Sequence, residues 1–358
     1  MEMDSEEADL GTLFTKIEPL FLELNTHLVS KNYSLDSPVV SVCIISYNHV
    51  KYIKQALDSI FAQKTNFQFE VILGDDCSQD NTQENIESYV EEYAGKIKFF
   101  FHPQNLTQKY SEFTPGKLNF IHTLFNAKGK YIVFIEGDDY FTDELKLQKQ
   151  VDFLESNEEH SACFHNALMK FENDESLNYL INKPDQKTSI LPSDLLIEKE
   201  TWFMATASVM FRRKSLAALQ PWFGKSKSGD IPLYVLFSDK GPIGYLPDVM
   251  SVYRRHDMGL SFTDDRRHSP FVENRIFMFE NLNNQTKGKY QSQINSILAE
   301  FYEMLADTIE YKASLFSRIK FISKSLMLSW PKDSSITLER FRKMFRPEVQ
   351  RLKNLFKP

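Results

Sequence analysis

Three carboxylates are crowded into the stretch IVFIEGDDYF at residues 132–141. Glu136, Asp138 and Asp139 follow an apolar run, with a single glycine among them. Carboxylates this close repel one another, so each raises the pKa of the next unless a positive group lies between them. A divalent cation is one such group, since hard cations prefer oxygen ligands. A plainer alternative is an acidic turn that caps the following helix.

Two further strand ends carry polar residues of the same kind. The apolar stretch VVSVCII (39–45) runs into ISYN, and FEVILG (69–74) runs into GDDCSQDNT. In open α/β sheets, ligands bind beyond the carboxyl ends of the strands. The three stretches together therefore favour a metal site over an acidic turn, although Asp75 alone could belong to a strand-to-helix turn.

The elements that must position these residues follow a regular alternation. Continuous apolar strands are predicted at 39–45, 69–74, 96–101 and 130–136, with amphipathic helices between them. This pattern predicts an α/β fold with a mostly parallel sheet covered by helices on both faces. We expect a helical arm at 1–37 and a catalytic domain at 38–262, divided into halves at 38–140 and 141–262. A helical, basic region is expected at 263–358.

Composition excludes several classes of protein. The chain of 358 residues has a net charge of −7, which argues against a nucleic-acid partner. It contains no apolar run near the roughly 20 residues of a membrane helix, and its acidic start does not resemble a signal peptide. The three widely separated cysteines indicate free thiols in a reducing compartment, so we expect a cytoplasmic protein. Neither GxGxxG nor GxxxxGK[ST] occurs.

The charge is distributed unevenly along the chain. Residues 312–358 contain 12 Lys or Arg and three acids, a net charge of +9, whereas the rest of the chain carries −16. Apolar residues recur at helical spacing in this tail, up to an expected break at Pro347. The pattern predicts either an amphipathic lid packed on the catalytic domain or a peripheral contact with the anionic inner face of a membrane.

The order of the motifs resembles that of the family 2 glycosyltransferases. The stretches SVCIISYNHVKYIKQALDSIFAQ, FEVILGDDCSQDNT and AKGKYIVFIEGDDYFTDELKLQKQ are similar to the nucleotide-sugar half of that family. The stretch SGDIPLYVLFSDKGPIGYLPDVMSVYRRHDMGLS is similar to its acceptor-side segment, so that the resemblance covers about residues 39–261. It implies the GT-A fold and an inverting, metal-dependent enzyme of the type that builds bacterial surface polysaccharides.

The resemblance implies a role for each candidate residue. Asp138 is the expected ligand of Mn²⁺ or Mg²⁺, with His256 as a second ligand, and Glu136 stands where the family usually has Asp. Asp76 would accept the N3–H of uracil, which favours a UDP-sugar donor. The other residues expected to bind the nucleotide sugar are Ser46, Tyr47, Asp75, Lys117, Asp139, Arg254 and Arg255.

Asp230 matches the expected catalytic base, which takes the proton of the acceptor hydroxyl. Gly229 precedes it, where the family usually has a second acid. Without the resemblance, Asp230 would be interpreted as a helix N-cap, His256 as a structural histidine and Tyr47 as a core tyrosine. The resemblance implies a glycan or lipid-linked glycan as acceptor. Two alternatives stay open, a sugar nucleotidyltransferase and a non-catalytic module that binds sugar nucleotides.

Overall fold

The first half of the chain alternates between strands and helices, as the hydrophobic pattern predicts. The structure is a computed structural model that describes residues 11–24, 26–30, 33, 35–196, 203–257, 259 and 266–329. The strands are β1 (His27–Val29), β2 (Val40–Ser46), β3 (Phe69–Asp75), β4 (Ile97–Phe101), β5 (Tyr131–Glu136), β6 (Tyr140–Phe141), β7 (Ala162–Phe171), β8 (Tyr179–Leu180), β9 (Ser189–Ile190), β10 (Met210–Arg212) and β11 (Ile243–Arg255).

Helices connect and follow these strands. They are α1 (Gly11–Glu23), α2 (Ile53–Phe61), α3 (Thr82–Glu92), α4 (Leu106–Lys109), α5 (Lys117–Phe125), α6 (Lys146–Ser156), α7 (Pro192–Leu195), α8 (Asp230–Ser238), α9 (Ser269–Gln285), α10 (Gln291–Ala306) and α11 (Leu315–Ser329). Short 3-10 segments occupy Glu175–Leu177, Thr206–Ser208, Arg213–Ala218 and Pro221–Lys225. None of the described helices is long and apolar enough to cross a membrane.

The strands form one mixed sheet in the order β1-β4-β3-β2-β5-β10-β7-β11-β6, with β8 on β7 and β9 on β11. Strands β2 to β5 are mutually parallel, and β7 is parallel to β11. The predicted α/β class with a mostly parallel nucleotide-side sheet is therefore confirmed. The antiparallel additions include β1, so the N-terminal arm, expected to be helical, also contributes an edge strand.

The core explains why the parallel strands are so apolar. Both faces of β2, β3 and β5 are covered, and their side chains are buried almost without exception. Helix α2 adds Ile53, Leu57 and Ile60 to the same cluster. Chain order reverses between β2 and β5, and such a switch point is where a doubly wound sheet opens a crevice at its carboxyl edge.

The chain divides into two compact units. The sheet unit comprises Met1–Leu195, Glu200–Lys225 and Gly229–Asp257, and the second unit consists mainly of Met258–Pro358. Within the second unit, α9 and α10 pack through stacked Phe279 and Phe301 rings, whose centroids are 5.8 Å apart. The last part of the predicted basic tail, 330–358, lies outside the described residues.

Gly74 is the point where β3 meets α5 most closely. An ideal Cβ on Gly74 would lie 2.0 Å from Oδ1 of Asn119. Asn119 donates from Nδ2 to the carbonyl of Gly74 (2.7 Å), and its Oδ1 accepts from Nε2 of His102 (3.1 Å). Only a glycine at position 74 leaves room for this buried network directly before Asp75.

We expect Gly74→Ala to lower the free energy of unfolding by about 2–4 kcal/mol, because the methyl group displaces Asn119 and breaks both hydrogen bonds. Urea unfolding at neutral pH measures this. Asn119→Ala provides the control. In a double-mutant cycle the two substitutions should be strongly non-additive, since the clash disappears with the amide. Full additivity, or a Gly74→Ala protein as stable as the wild type, would contradict the packing described here.

Candidate active site

The register of the sheet brings three polar strand ends together. Ser46 pairs with Asp75 across β2 and β3, and Ile45 pairs with Glu136 across β2 and β5. Asp76 then extends the edge by donating its backbone N–H to the carbonyl of Ser46 (2.9 Å). The side chains predicted from the three motifs therefore meet at one carboxyl edge.

The loop after β2 presents Tyr47 to solvent. Its side chain is 43% exposed, so it is not a core tyrosine and is available to a planar ligand. Next to it, Asn48 has a φ of 56°, and its side chain accepts the N–H of Gln79 (2.8 Å) while its own N–H donates to Oγ of Ser78 (2.8 Å). The loops after β2 and β3 are thus joined into one rim.

The two aspartates of the second motif differ in what they bind. Asp75 is fully buried and accepts from the N–H (2.9 Å) and Oγ (2.5 Å) of Ser78 and from Nε2 of Gln83 (2.9 Å). These bonds stay within its own loop and helix. Asp76 accepts from the N–H of Leu106 (2.7 Å) and from Nδ2 of Asn105 (3.2 Å), and burial raises its pKa to about 6. Asp75 therefore shapes the loop, whereas each oxygen of Asp76 has one protein donor and keeps a second lone pair for a further donor.

The third motif concentrates negative charge at the end of β5. Burial, reinforced by the charge of Asp138, raises the pKa of Glu136 to about 8. Burial and the charges of Asp138 and Glu136 raise the pKa of Asp139 well above its usual range. One oxygen on each, Oε2 of Glu136 and Oδ2 of Asp139, is buried without a hydrogen-bond partner among the described residues. At neutral pH the cluster therefore favours one negative charge, on Asp138.

Two histidines face Asp138. Nε2 of His256 donates to Oδ2 of Asp138 (2.8 Å), and Nε2 of His49 lies 4.0 Å from the same oxygen. Burial would raise the pKa of Asp138, but the hydrogen bond from His256 and the two imidazoles outweigh it and lower that pKa. His256 contributes more than His49 to the lowered pKa of Asp138, because burial lowers the pKa of His49 and so disfavours its charged form.

His49 is not among the site residues expected from the sequence, although the sequence offers one signal that could have identified it. It follows the end of β2 by three positions, in the loop that borders the crevice. Gly137 packs against it, since an ideal Cβ there would lie 2.8 Å from Nδ1 of His49. A larger residue at position 137 would push the imidazole away from Asp138.

The donor atoms of this cluster suit a divalent cation. Asp138 offers a carboxylate and His256 an imidazole, and unpaired buried oxygens lie on the flanking acids. No group of three or more His, Cys, Asp or Glu forms a complete metal cage within the described part of the chain. This agrees with the habit of Mg²⁺-type ions, which use one or two protein carboxylates and complete their shell with phosphate and water.

Arg254 fixes the acidic loop in place. Its N–H donates to Oδ1 of Asp139 (2.8 Å), and its Nε donates to the carbonyl of Asp138 (2.6 Å). The remaining guanidinium nitrogens donate to Glu172 (2.5 Å) and Gln55 (2.8 Å). Each guanidinium nitrogen of Arg254 thus has one protein acceptor, so that Arg254 holds the loop, and its contact with phosphate stays a prediction.

Two aromatic rings pack against the guanidinium of Arg254. The guanidinium carbon lies 4.7 Å from the ring centre of Tyr52 and 5.0 Å from that of Tyr140. Adjacent strand residues point to opposite faces, so Arg255 and Arg254 project in opposite directions from β11. The sequence did not predict a role for Tyr52, Gln55 or Glu172. Gln55 is 199 positions from Arg254 and Glu172 is 82 positions from it, and nothing in the local sequence marks such distant partners.

Asp230 begins α8 and lies near the acidic cluster. Its charge contributes to the raised pKa of Glu136 and, after burial, to that of Tyr234. The helix capping position is occupied by Gly229, so Asp230 is not the N-cap residue. The ammonium of Lys117 approaches Gly229, since an ideal Cβ there would lie 3.0 Å from Nζ. Gly229, which stands where the family usually has a second acid, therefore adjoins the ammonium of the buried Lys117.

We expect Arg254→Gln to lower the free energy of unfolding by about 2–4 kcal/mol, because it leaves Glu172 and the acidic loop without their buried cation. Arg255→Gln is the matched control, and its cost should stay below about 1 kcal/mol. Urea unfolding of both variants measures the difference. Equal stability losses would show that Arg254 does not hold the loop.

Comparison with known proteins agrees with this architecture. Residues 41–219 match the family described as glycosyl transferase family 2. An uncharacterized protein of Mycobacterium tuberculosis is 34% identical over 238 residues, which cover 64% of this chain and 63% of the relative. The putative teichuronic acid biosynthesis glycosyltransferase TuaG of Bacillus subtilis is 30% identical over 117 residues, 33% of this chain and 42% of the relative.

The fold has a counterpart among solved structures. The crystal structure of S. aureus TarS in complex with UDP-GlcNAc superposes with a TM-score of 0.56, covering 87% of this chain and 91% of the other at 19% identity. This likeness supports the GT-A fold. The family match spans half of the chain and contains the three acidic or polar strand ends described above. The chain belongs to glycosyl transferase family 2.

Proposed function

We propose that this protein is an inverting glycosyltransferase that moves a sugar from a nucleoside diphosphate, most favourably UDP, to a hydroxyl of a glycan or lipid-linked glycan. The observation that carries the proposal is that Asp76 and Asp138 follow the two strands that flank β2, at one carboxyl edge of the sheet, while the charge of Asp230 acts on the same acidic cluster, in a chain of this family. Such a transfer needs one acid that recognises the nucleoside base, one that holds the metal ion and one that acts on the acceptor.

The nucleoside would lie against Tyr47, with Asp76 accepting the N3–H of uracil. Cytosine lacks that proton, so a carboxylate here discriminates against it. Ser46 contributes a buried hydroxyl that has no hydrogen-bond partner among the described residues. Asp75 would act indirectly, by holding the loop that carries Asp76.

Asp138 and His256 would hold Mn²⁺ or Mg²⁺, which when bound supplies positive charge against the diphosphate. Lys117 would contact the phosphate directly, because its ammonium adjoins Gly229 at the start of α8. Glu136, whose pKa is raised by burial, could donate a hydrogen bond as a neutral acid. Asp139 would act through its bond with the N–H of Arg254.

The transfer step follows from the position of Asp230. Its carboxylate would take the proton of the acceptor hydroxyl while that oxygen bonds to the anomeric carbon. The bond from that carbon to the departing phosphate oxygen breaks in the same displacement, and its electron pair leaves with the nucleoside diphosphate. Attack from the opposite side inverts the anomeric centre. The similarity to TuaG, a putative glycosyltransferase of teichuronic acid biosynthesis, supports a bacterial polysaccharide as the acceptor class.

Asp230→Asn tests this function. The amide keeps the size of the side chain but cannot accept a proton at neutral pH, so kcat should fall by about 10²–10⁴. The affinity for the UDP–Mn²⁺ pair should stay close to that of the wild type, because only the transition state loses an interaction. Release of UDP from a panel of UDP-sugars measures the rate, and calorimetry measures the affinity.

Asp239→Asn, at the other end of the same helix, is the matched control and should leave both quantities unchanged. Wild-type turnover in Asp230→Asn would remove Asp230 from the mechanism. A wild-type protein that binds UDP with Mn²⁺ but releases no UDP from any donor would instead favour a non-catalytic binding module.

A further inference from the structure

Helix α11 exposes large apolar side chains on the side opposite to its buried one. On its inner side, Ile322 is buried against Ala306, between Arg318 and Ser325, whose surfaces are 3% and 0% exposed. On its outer side, Phe316 and Met327 are 79% and 72% exposed. A surface helix of a water-soluble unit normally turns polar residues outward. The exposed apolar residues indicate that the outer side of α11 meets something other than water.

The orientation of α11 is fixed by specific contacts within the second unit. Arg318 donates to Asp307 (2.7 Å) and to the carbonyl of Ala306 (3.2 Å). The hydroxyl of Ser325 donates to the carbonyl of Ala299 (2.6 Å). Rotation of the helix to bury Phe316 would break these bonds and leave Arg318 without its carboxylate. The exposed apolar face is therefore a consequence of how the helix is held.

The outer face is continuous and cationic. Leu315, Phe316, Ile319 and Met327 fall within an arc of about 120° at 100° per residue, and all four are exposed. Lys320 is exposed beside this arc, and Lys312 is exposed just before the helix begins. From Lys312 to Ser329 the sequence contains no acidic residue, and the following 29 residues add eight Lys or Arg against three acids.

We propose that this outer face of α11 lies on an anionic lipid bilayer. Large apolar side chains flanked by lysines are the composition of helices that lie in the plane of a membrane interface, with the apolar residues in the acyl region and the ammonium groups at the headgroups. The absence of acid on this face complements negatively charged lipid. The proposal rests on the second unit alone and does not depend on the proposed transferase activity.

Flotation of the full-length protein with vesicles tests the proposal. The wild type should bind vesicles of mixed phosphatidylcholine and phosphatidylglycerol, and bind pure phosphatidylcholine more weakly. The double variant Phe316→Ser/Met327→Ser should bind the anionic vesicles about tenfold more weakly or worse, because it removes the apolar contact. Leu22→Ser is the matched control, since Leu22 on α1 is as exposed as Phe316, at 79%. Its binding should equal that of the wild type.

Charge variants separate the two contributions. Lys312→Gln and Lys320→Gln should each weaken binding to the anionic vesicles about fivefold and leave binding to neutral vesicles unchanged. All variants should unfold like the wild type, because the replaced side chains are exposed.

Four outcomes would overturn the proposal. The first is a wild type that binds neither kind of vesicle. The second is a double variant that binds as tightly as the wild type. The third is a loss of binding in full-length Arg340→Gln/Arg342→Gln/Lys343→Gln combined with unchanged binding in the double variant, which would assign membrane contact to the later basic segment. A wild type that self-associates in solution, with the double variant monomeric, would instead assign the face to a second copy of the chain.

Discussion

The mutual repulsion of Glu136, Asp138 and Asp139 is the constraint on which the site depends. Three acids at the end of one strand cannot all be ionised in so small a space, so two of them favour the neutral form and the third is supported as a carboxylate. His256 supplies a hydrogen bond to Asp138, and Arg254 holds the backbone of the loop. The register of the sheet brings Asp76 to the same carboxyl edge, and the charge of Asp230 acts on Glu136.

Arg254 and its partners belong to distant elements of the chain, and together they hold the acidic loop in place. Arg254 belongs to β11, yet it bonds to the loop after β5, to Gln55 on α2 and to Glu172 beyond β7. The stacked tyrosines shield it from solvent. The guanidinium of Arg254 does not contact the carboxylates of Glu136, Asp138 or Asp139, and Oε2 of Glu136 and Oδ2 of Asp139 have no hydrogen-bond partner among the described residues. These oxygens are the basis for the proposed cation site.

Much of the fold could be predicted from the sequence because continuous apolar strands alternating with amphipathic helices have few stable arrangements. The strand ends predicted Asp76, Asp138 and their neighbours, since parallel strands place their carboxyl ends at one edge. Contacts across long separations could not be predicted. The pairing of Arg254 with Glu172, the approach of His49 to Asp138 and the inward turn of Arg318 on α11 depend on tertiary packing that no local pattern records. Apolar periodicity in α11 suggested one buried face, whereas the structure buries Ile322 together with Arg318 and Ser325 and leaves Leu315 and Ile319 exposed.

The central claim is that the acidic cluster is built to hold a cation together with a nucleoside diphosphate, and calorimetric titration of UDP with and without Mn²⁺ tests it most directly. For the wild type, Mn²⁺ should strengthen UDP binding about tenfold or more, because the ion held by Asp138 and His256 would supply positive charge against the diphosphate. Asp138→Ala should bind UDP weakly and equally with and without Mn²⁺, whereas the nearby Asp143→Ala should behave like the wild type. An Asp138→Ala protein that keeps the full Mn²⁺ enhancement, or a wild type whose UDP affinity ignores Mn²⁺, would contradict the account.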